Sequence, residues 1–147
     1  FDGVTVPFEV NHFDVVILSH VVEHLEHPRQ LIGEARRLAP HLFIEVPLED
    51  TLRLPLDYRP NAVGHINFYT PSSIRRLIQT CGFKVIKQRV APPSLKAHHY
   101  SSGARGVLSY ALKKCALKLN QRYAPALFTY HASLLCERSE DASPLSE

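Results

Sequence analysis

FDVVILSHVVEHL, residues Phe13 to Leu25, sets an unbroken apolar run directly against two histidines and a glutamate. Val15, Val16, Ile17 and Leu18 are mostly β-branched and show no alternation of polar and apolar positions. That pattern predicts a strand covered on both faces, a central strand of a parallel sheet. In open parallel sheets ligands bind beyond the carboxyl ends of the strands. Ser19, His20 and the residues after them therefore lie where a ligand site is expected.

Working outward from this strand, the chain alternates. Pro28 suits a first helical position, and Leu31, Ile32, Ala35 and Leu38 recur at helical spacing, with Arg36 and Arg37 at the end where the helix dipole favours cations. His41 to Val46 (HLFIEV) reads as a second buried strand that Pro47 ends. A long loop, Leu48 to Tyr69, follows with Pro55, Pro60 and Gly64; loops of this length in compact domains are usually functional or disordered, which makes it a candidate substrate-side segment. Thr70 is a natural N-cap with Pro71 at N1, an apolar stripe of Ile74, Leu77, Ile78 and Cys81, and a stop at Gly82.

Phe83 to Val90 is a third strand, with Phe83, Val85 and Ile86 assigned inward. An HHYSSG loop then leads to a helix over about Ala104 to Leu119, with Ala104, Leu108, Ala111, Leu112 and Cys115 as its buried side and Lys113, Lys114 and Lys118 as its wet face. Leu127 to Glu137 reads as the last strand. The order strand, helix, strand, helix, strand, helix, strand is an α/β pattern with crossover connections. The expected organisation is one domain over residues 1–137, with 91–126 a helical insertion before the last strand and 138–147 a mobile tail.

Composition narrows the class. The chain has 147 residues, is 45% hydrophobic and 21% charged, and carries a formal charge of +3, which suits a globular domain and gives little electrostatic support for nucleic acid as a partner. Cys81, Cys115 and Cys136 are widely spaced in apolar surroundings and read as buried free thiols of a reducing compartment. With no span-length apolar segment and no signal peptide, a cytoplasmic location is expected. The chain opens at Phe1 and holds no Met, so it is expected to lack the start of its natural product.

The pieces also carry a family resemblance. FDG and VPF within Phe1 to Phe8, then FDVVILSHVVEHLEHP, IEVP, GHINFYTP and LIQTCGF, in that order and spacing, resemble the distal half of a class I S-adenosylmethionine-dependent methyltransferase. The resemblance covers about Phe1 to Val90. It implies a Rossmann-like three-layer sandwich, a mostly parallel sheet with an antiparallel last strand, and S-adenosyl-L-methionine as cofactor. It places Asp2 and Gly3 beside the adenine, Ser19, His20 and Val21 around the methionine portion and the transferable methyl, and His65 on the substrate side. The family's glycine-rich GxGxG loop and ribose-binding acid are absent from these residues. The expected partners are a small-molecule or glycan or lipid-precursor acceptor, and either the missing first half of the domain or an oligomeric partner across an exposed sheet edge.

A sulfonium methyl is already an activated electrophile, so the protein's main tasks are holding the nucleophile in line and excluding water. A base is needed for hydroxyl acceptors, and His20 and His65 are the catalytic candidates by position. Each histidine has a structural reading beside this one: His20 as a helix cap, His24 as a satisfied core residue, and Glu23 as the group that orients either ring or bonds a backbone N–H. Two other functions use the same residues. His20, Val21, Val22, Glu23 and His24 spell HxxEH, the inverted zincin motif, but the adjoining strand and Pro28 leave no full helix around it, and no third ligand stands out among Glu45, Glu49 and the rest, so no metal is expected. The other is a non-catalytic half domain that binds a partner through an unpaired edge.

Overall fold

A computed structural model describes residues 5–57 and 63–140. Strand β1 (Val15–Ser19) runs into a single 3-10 turn (Val22–His24), followed by α1 (Pro28–Leu38), β2 (His41–Leu48), α2 (Pro71–Thr80), β3 (Phe83–Ala91), α3 (Leu95–Leu119), α4 (Ala124–Leu127) and β4 (Tyr130–Arg138). The sheet order is β1-β2-β4-β3. β1 and β2 are parallel, and β4 lies antiparallel between β2 and β3. Three strands thus share a direction and the last opposes them, which is the expected mixed α/β sheet.

The register separates two faces. Leu18 and Ile44 of β1 and β2 lie with Leu42, Val46 and Leu48 and, across β4, with Cys136, Leu134, Ala132 and Tyr130 on one buried face. Each such aliphatic side chain contributes about 1.5–3 kcal/mol on full burial. Ile32 and Ala35 of α1 and Ile74 and Ile78 of α2 belong to the same core. Thr70 caps α2 through a reciprocal box with Ser73, and Gly82 ends it at φ 83°.

The opposite face is open at β1. Val15 and Ile17 are 42% and 63% exposed, and β1 pairs on one side only among the described residues. The expectation of a central strand covered on both faces is corrected here. A run that is apolar at every position hides which of its faces is buried, and only the face with Leu18 is.

The bounds of three elements, the facing of Ile86 and one helix face also differ. Pro47 does not end β2, which pairs on to Leu48. His20 N–H donates to the Glu45 carbonyl, so Glu45 and, two residues on, Pro47 face the β1 side, where β1 has already turned away and Pro47's missing N–H costs no ladder bond. Ile86 points outward at a register shift between Val85 and Lys87. The HHYSSG segment is helical, joined to the rest of α3 across a kink at Gly103 (φ 56°). Leu127 ends α4, and β4 starts at Tyr130 and reaches Arg138, with Ser139 N–H donating to the Gly82 carbonyl at 2.9 Å. On α3, Leu108 and Leu112 are 72% and 56% exposed and Cys115 is exposed, while Tyr130 Oη donates to the Lys113 carbonyl at 2.7 Å from the sheet. The assigned buried side of α3 is its outer side, because apolar spacing locates a stripe without saying what covers it. Among the described residues no helix is long and apolar enough to cross a membrane.

Candidate functional site

Two polar clusters meet at the carboxyl ends of β1 and β2 and share one residue, Glu23. The end of β1 delivers His20 in a left-handed backbone conformation, φ 54°, which is uncommon for a residue with a side chain and concentrates at functional sites. Its Nδ1 lies 3.2 Å from Glu23 Oε1 and its Nε2 3.6 Å from Glu45 Oε1. Glu45, in β2, also faces His131 Nδ1 at 3.4 Å and accepts from Ser133 Oγ at 3.2 Å. The pleat explains this set: Glu45, Ser133 and His131 occupy the open face of β2 and β4, opposite the buried face. Burial lowers the pKa of His131, as does the neighbouring His20, while Glu45 acts the other way.

The second cluster joins the turn after β1 to the loop before α2. His24 and His65 lie edge to face, 4.8 Å between ring centres. His65 Nδ1 meets Glu49 Oε2 at 2.7 Å, and His24 Nδ1 meets the Gly64 carbonyl at 3.2 Å. The loop is laced to the turn: Ile66 and Asn67 N–H donate to the Glu23 carbonyl at 2.9 and 3.0 Å, and Asn67 Nδ2 donates to the carbonyls of Val22 and Leu25. Tyr69 Oη reaches the Val22 carbonyl, and its pKa is pushed up to about 12 by burial, with Glu23 adding to the shift.

Glu23 is fully buried, yet its Oε2 has no hydrogen-bond partner among the described residues. A buried carboxylate oxygen without a partner is costly. Ordinary fold-building does not account for it.

Of the residues expected at the site, His20 and His65 fall in the two linked clusters. Ser19 is exposed at the strand end, and Val21 is half-buried with its carbonyl accepting from His24 N–H at 3.1 Å. Asp2 and Gly3 lie outside the described residues. His24 is exposed and not a core histidine, since the loop bearing Gly64 holds it outward. The HxxEH reading also meets its geometry: His20 precedes the turn and joins Glu45 and His131, whereas His24 joins His65, so the two histidines do not share a helical face. His131 was missed by sequence reasoning, and only its alternate position in an apolar strand could have pointed to it. Cys81, Cys115 and Cys136 are free, but only Cys136 is buried.

Comparison with known proteins gives the fold a context. A solved [4+2]-cyclase, SpnF, is 17% identical with a TM-score of 0.61, over 95% of this chain and 55% of its own. A structure described as a sarcosine dimethylglycine methyltransferase of Galdieria sulphuraria is 18% identical with a TM-score of 0.59, over 97% of this chain and 58% of its own. Phosphoethanolamine N-methyltransferase 2 of Haemonchus contortus, in complex with phosphomonomethylethanolamine and S-adenosylhomocysteine, is 14% identical with a TM-score of 0.60, over 95% of this chain and 36% of its own. The chain thus spans little more than half the length of the first two. No curated protein matches it. Residues 2–88 match the family model of a methyltransferase domain, a span that holds β1, the shared Glu23 and His65, and the chain belongs to that family.

Proposed function

We propose that the protein transfers a methyl group from S-adenosylmethionine to a small-molecule or glycan or lipid-precursor acceptor. The observation that carries this is the placement of His20: it stands at the carboxyl end of β1 in a left-handed backbone conformation, held between Glu23 and Glu45. The residues present suit the methionine end of the cofactor, where Ser19 and His20 are exposed and Glu45 is half-buried. They include no GxGxG loop, so the adenosine end is left to Asp2, Gly3 and whatever else the whole protein supplies.

The bound sulfonium supplies an electrophilic methyl. His20 would take the proton of the acceptor atom that receives the methyl, while the sulfur keeps the electron pair of the broken bond to carbon. With Nδ1–H donated to Glu23, the ring's lone pair is on Nε2, and its side chain is 39% exposed and within reach of an acceptor. Carboxylates lie near both ring nitrogens, Glu23 Oε1 3.2 Å from Nδ1 and Glu45 Oε1 3.6 Å from Nε2. His65, oriented by Glu49, is the second catalytic histidine on the acceptor side.

A second reading has one observation in its favour. The apolar open face at Val15 and Ile17 suits a chain that works as a binding half domain, completed by an earlier part of the protein or by a partner subunit. One experiment separates the two. Calorimetry on the intact gene product with S-adenosylhomocysteine, followed by a labelled methyl-donor assay across metabolite pools, is expected to show binding and an acceptor-dependent product that His20→Ala abolishes. Absence of binding of both the cofactor and its demethylated product would remove the enzyme reading.

A further inference from the structure

The geometry points to a divalent transition-metal site formed by Glu23, His24 and His65, with Glu49 and the Gly64 carbonyl as its outer shell. One ligand atom from each of the three residues lies within 4.8 Å of the other two. Closing such a set onto an ion held at about 2.0–2.2 Å needs side-chain shifts of roughly 1 Å.

The orphaned oxygen is an independent observation. Glu23 is fully buried, its Oε1 is bonded to His20, and its Oε2 lacks a hydrogen-bond partner among the described residues. A cation bound by Oε2 would satisfy it and offset the cost of burying the charge.

The histidines are set as metal ligands are set. A carbonyl only accepts, so His24 donates from Nδ1 to Gly64 and carries its lone pair on Nε2. His65 directs Nδ1 to the Glu49 carboxylate at 2.7 Å, which assigns the lone pair of the neutral ring to Nε2 in the same way. Gly64 stands at φ 73°, where a side chain is strained, and a Cβ there would meet His24 Nδ1 at 4.0 Å. The glycine lets its carbonyl turn to the ring. Two imidazoles and one carboxylate suit zinc, iron(II) or manganese(II), whereas magnesium and calcium prefer oxygen alone.

The other cluster, His20, Glu45 and His131, is also compact. Both of its carboxylate oxygens already have partners, Ser133 on one and His131 on the other. It lacks the unpaired buried atom that singles out the first.

Three protein ligands leave a coordination position for a further oxygen. On the methyl-transfer reading, on which this one step rests, that oxygen is an acceptor hydroxyl made more acidic by the ion, with His20 taking its proton. The HxxEH motif then has a different meaning: Glu23 and His24 are ligands, His65 is the third, and His20 is the base alongside.

The test uses the 147-residue chain, stripped with a chelator and titrated with Zn2+ alone by calorimetry, with Co2+ giving a visible absorption spectrum of the bound ion. One zinc per chain is expected. His24→Ala, an exposed position, is expected to weaken binding at least about a hundredfold while the apo melting curve stays unchanged, and Glu49→Gln by about 10–100-fold through the outer shell. His41→Ala is expected to bind as the parent does. No zinc bound, or zinc bound by His24→Ala with the parent's affinity, overturns the site. So does loss on His131→Ala with His24→Ala unaffected, since the ion then sits in the other cluster. Zinc binding by the 147-residue chain, together with an intact gene product that fails to bind S-adenosylhomocysteine, would uphold the metal site and remove the methyl-transfer reading.

Discussion

Replacing Glu23 with glutamine should stabilise the metal-free chain and abolish its response to zinc. Glu23 is fully buried, and its Oε2 is unpartnered among the described residues. An unsatisfied buried acceptor costs about 1–3 kcal/mol, more when it is charged. Glu23→Gln keeps an oxygen for His20 Nδ1, now 3.2 Å from Oε1, and gives up some charge-assisted bonding, about 1 kcal/mol. It sets a neutral amide nitrogen in place of the unpartnered Oε2, so the gain comes from removing the buried charge alone. The net expectation in chelator is a gain of about 1 kcal/mol, or roughly 3 °C in Tm for a chain of this size. Zinc at a hundred times its Kd adds about 2.7 kcal/mol to the parent and nothing to the variant, so their order reverses. Urea unfolding and thermal melts of both proteins, with chelator and with zinc, measure all four values. A variant less stable than the parent by more than about 2 kcal/mol in chelator would refute the reasoning, because the carboxylate would then be a structural anchor.

The other predictions concern the frame around the site. Thr70→Ala removes the cap on the Ser73 N–H, which is one half of the reciprocal box, and should cost about 1 kcal/mol in urea unfolding with an unchanged m-value. Burial pushes the Cys136 thiol from 9.0 up to about 12 and, with Glu23, the Tyr69 hydroxyl from 10.0 up to about 12. The folded chain therefore holds protons that the unfolded chain releases in that window, so stability is full below about pH 9 and falls as pH rises toward 12; Cys136→Ala should flatten the decline in melts taken across that range. A thiol reagent at neutral pH should label exposed Cys115 at once and buried Cys136 only on unfolding. Ile17→Lys should be silent in the 147-residue chain, within about 0.5 kcal/mol, since Ile17 is 63% exposed. In the intact gene product it should cost about 2–3 kcal/mol if that face is covered, and equal values in both would refute the idea of a covering segment.

What could be read from the sequence depended on whether local chemistry or tertiary cover decided the outcome. α1 and α2 match their expected starts because Pro28, and Thr70 with Pro71, act on the helix end itself. Gly82 stops α2 for the same local reason. The buried side of α3 was misplaced because Leu108 and Leu112 form a stripe at helical spacing whichever way it faces, and a residue that bears on its orientation, Tyr130 on the Lys113 carbonyl, lies 17 positions away; Lys114 and Lys118 are exposed as expected. The same limit applies to β1. Four apolar residues in succession mark a strand, but whether Ile17 is covered depends on chain that does not neighbour it in sequence.

The site was legible in its position but not in its pairing. The end of β1 was expected to present His20, and it does, but Glu45 and His131 reach that ring only through the register of β2 against β4. His65 was set on the acceptor side by resemblance, and its contact with His24 depends on a loop that returns to bond the Glu23 carbonyl. The fold by itself does not choose the reaction, since a cyclase shares it with methyltransferases. The choice has to come from side chains, and Glu23 is where they converge: one oxygen orients the histidine at the strand end, the other is buried without a partner among the described residues, and the carboxylate clusters with His24 of the turn and His65 of the loop. A fold under selection for stability alone would have an apolar residue there. The buried carboxylate is therefore the strongest local argument for the ligand site proposed at this end of the sheet.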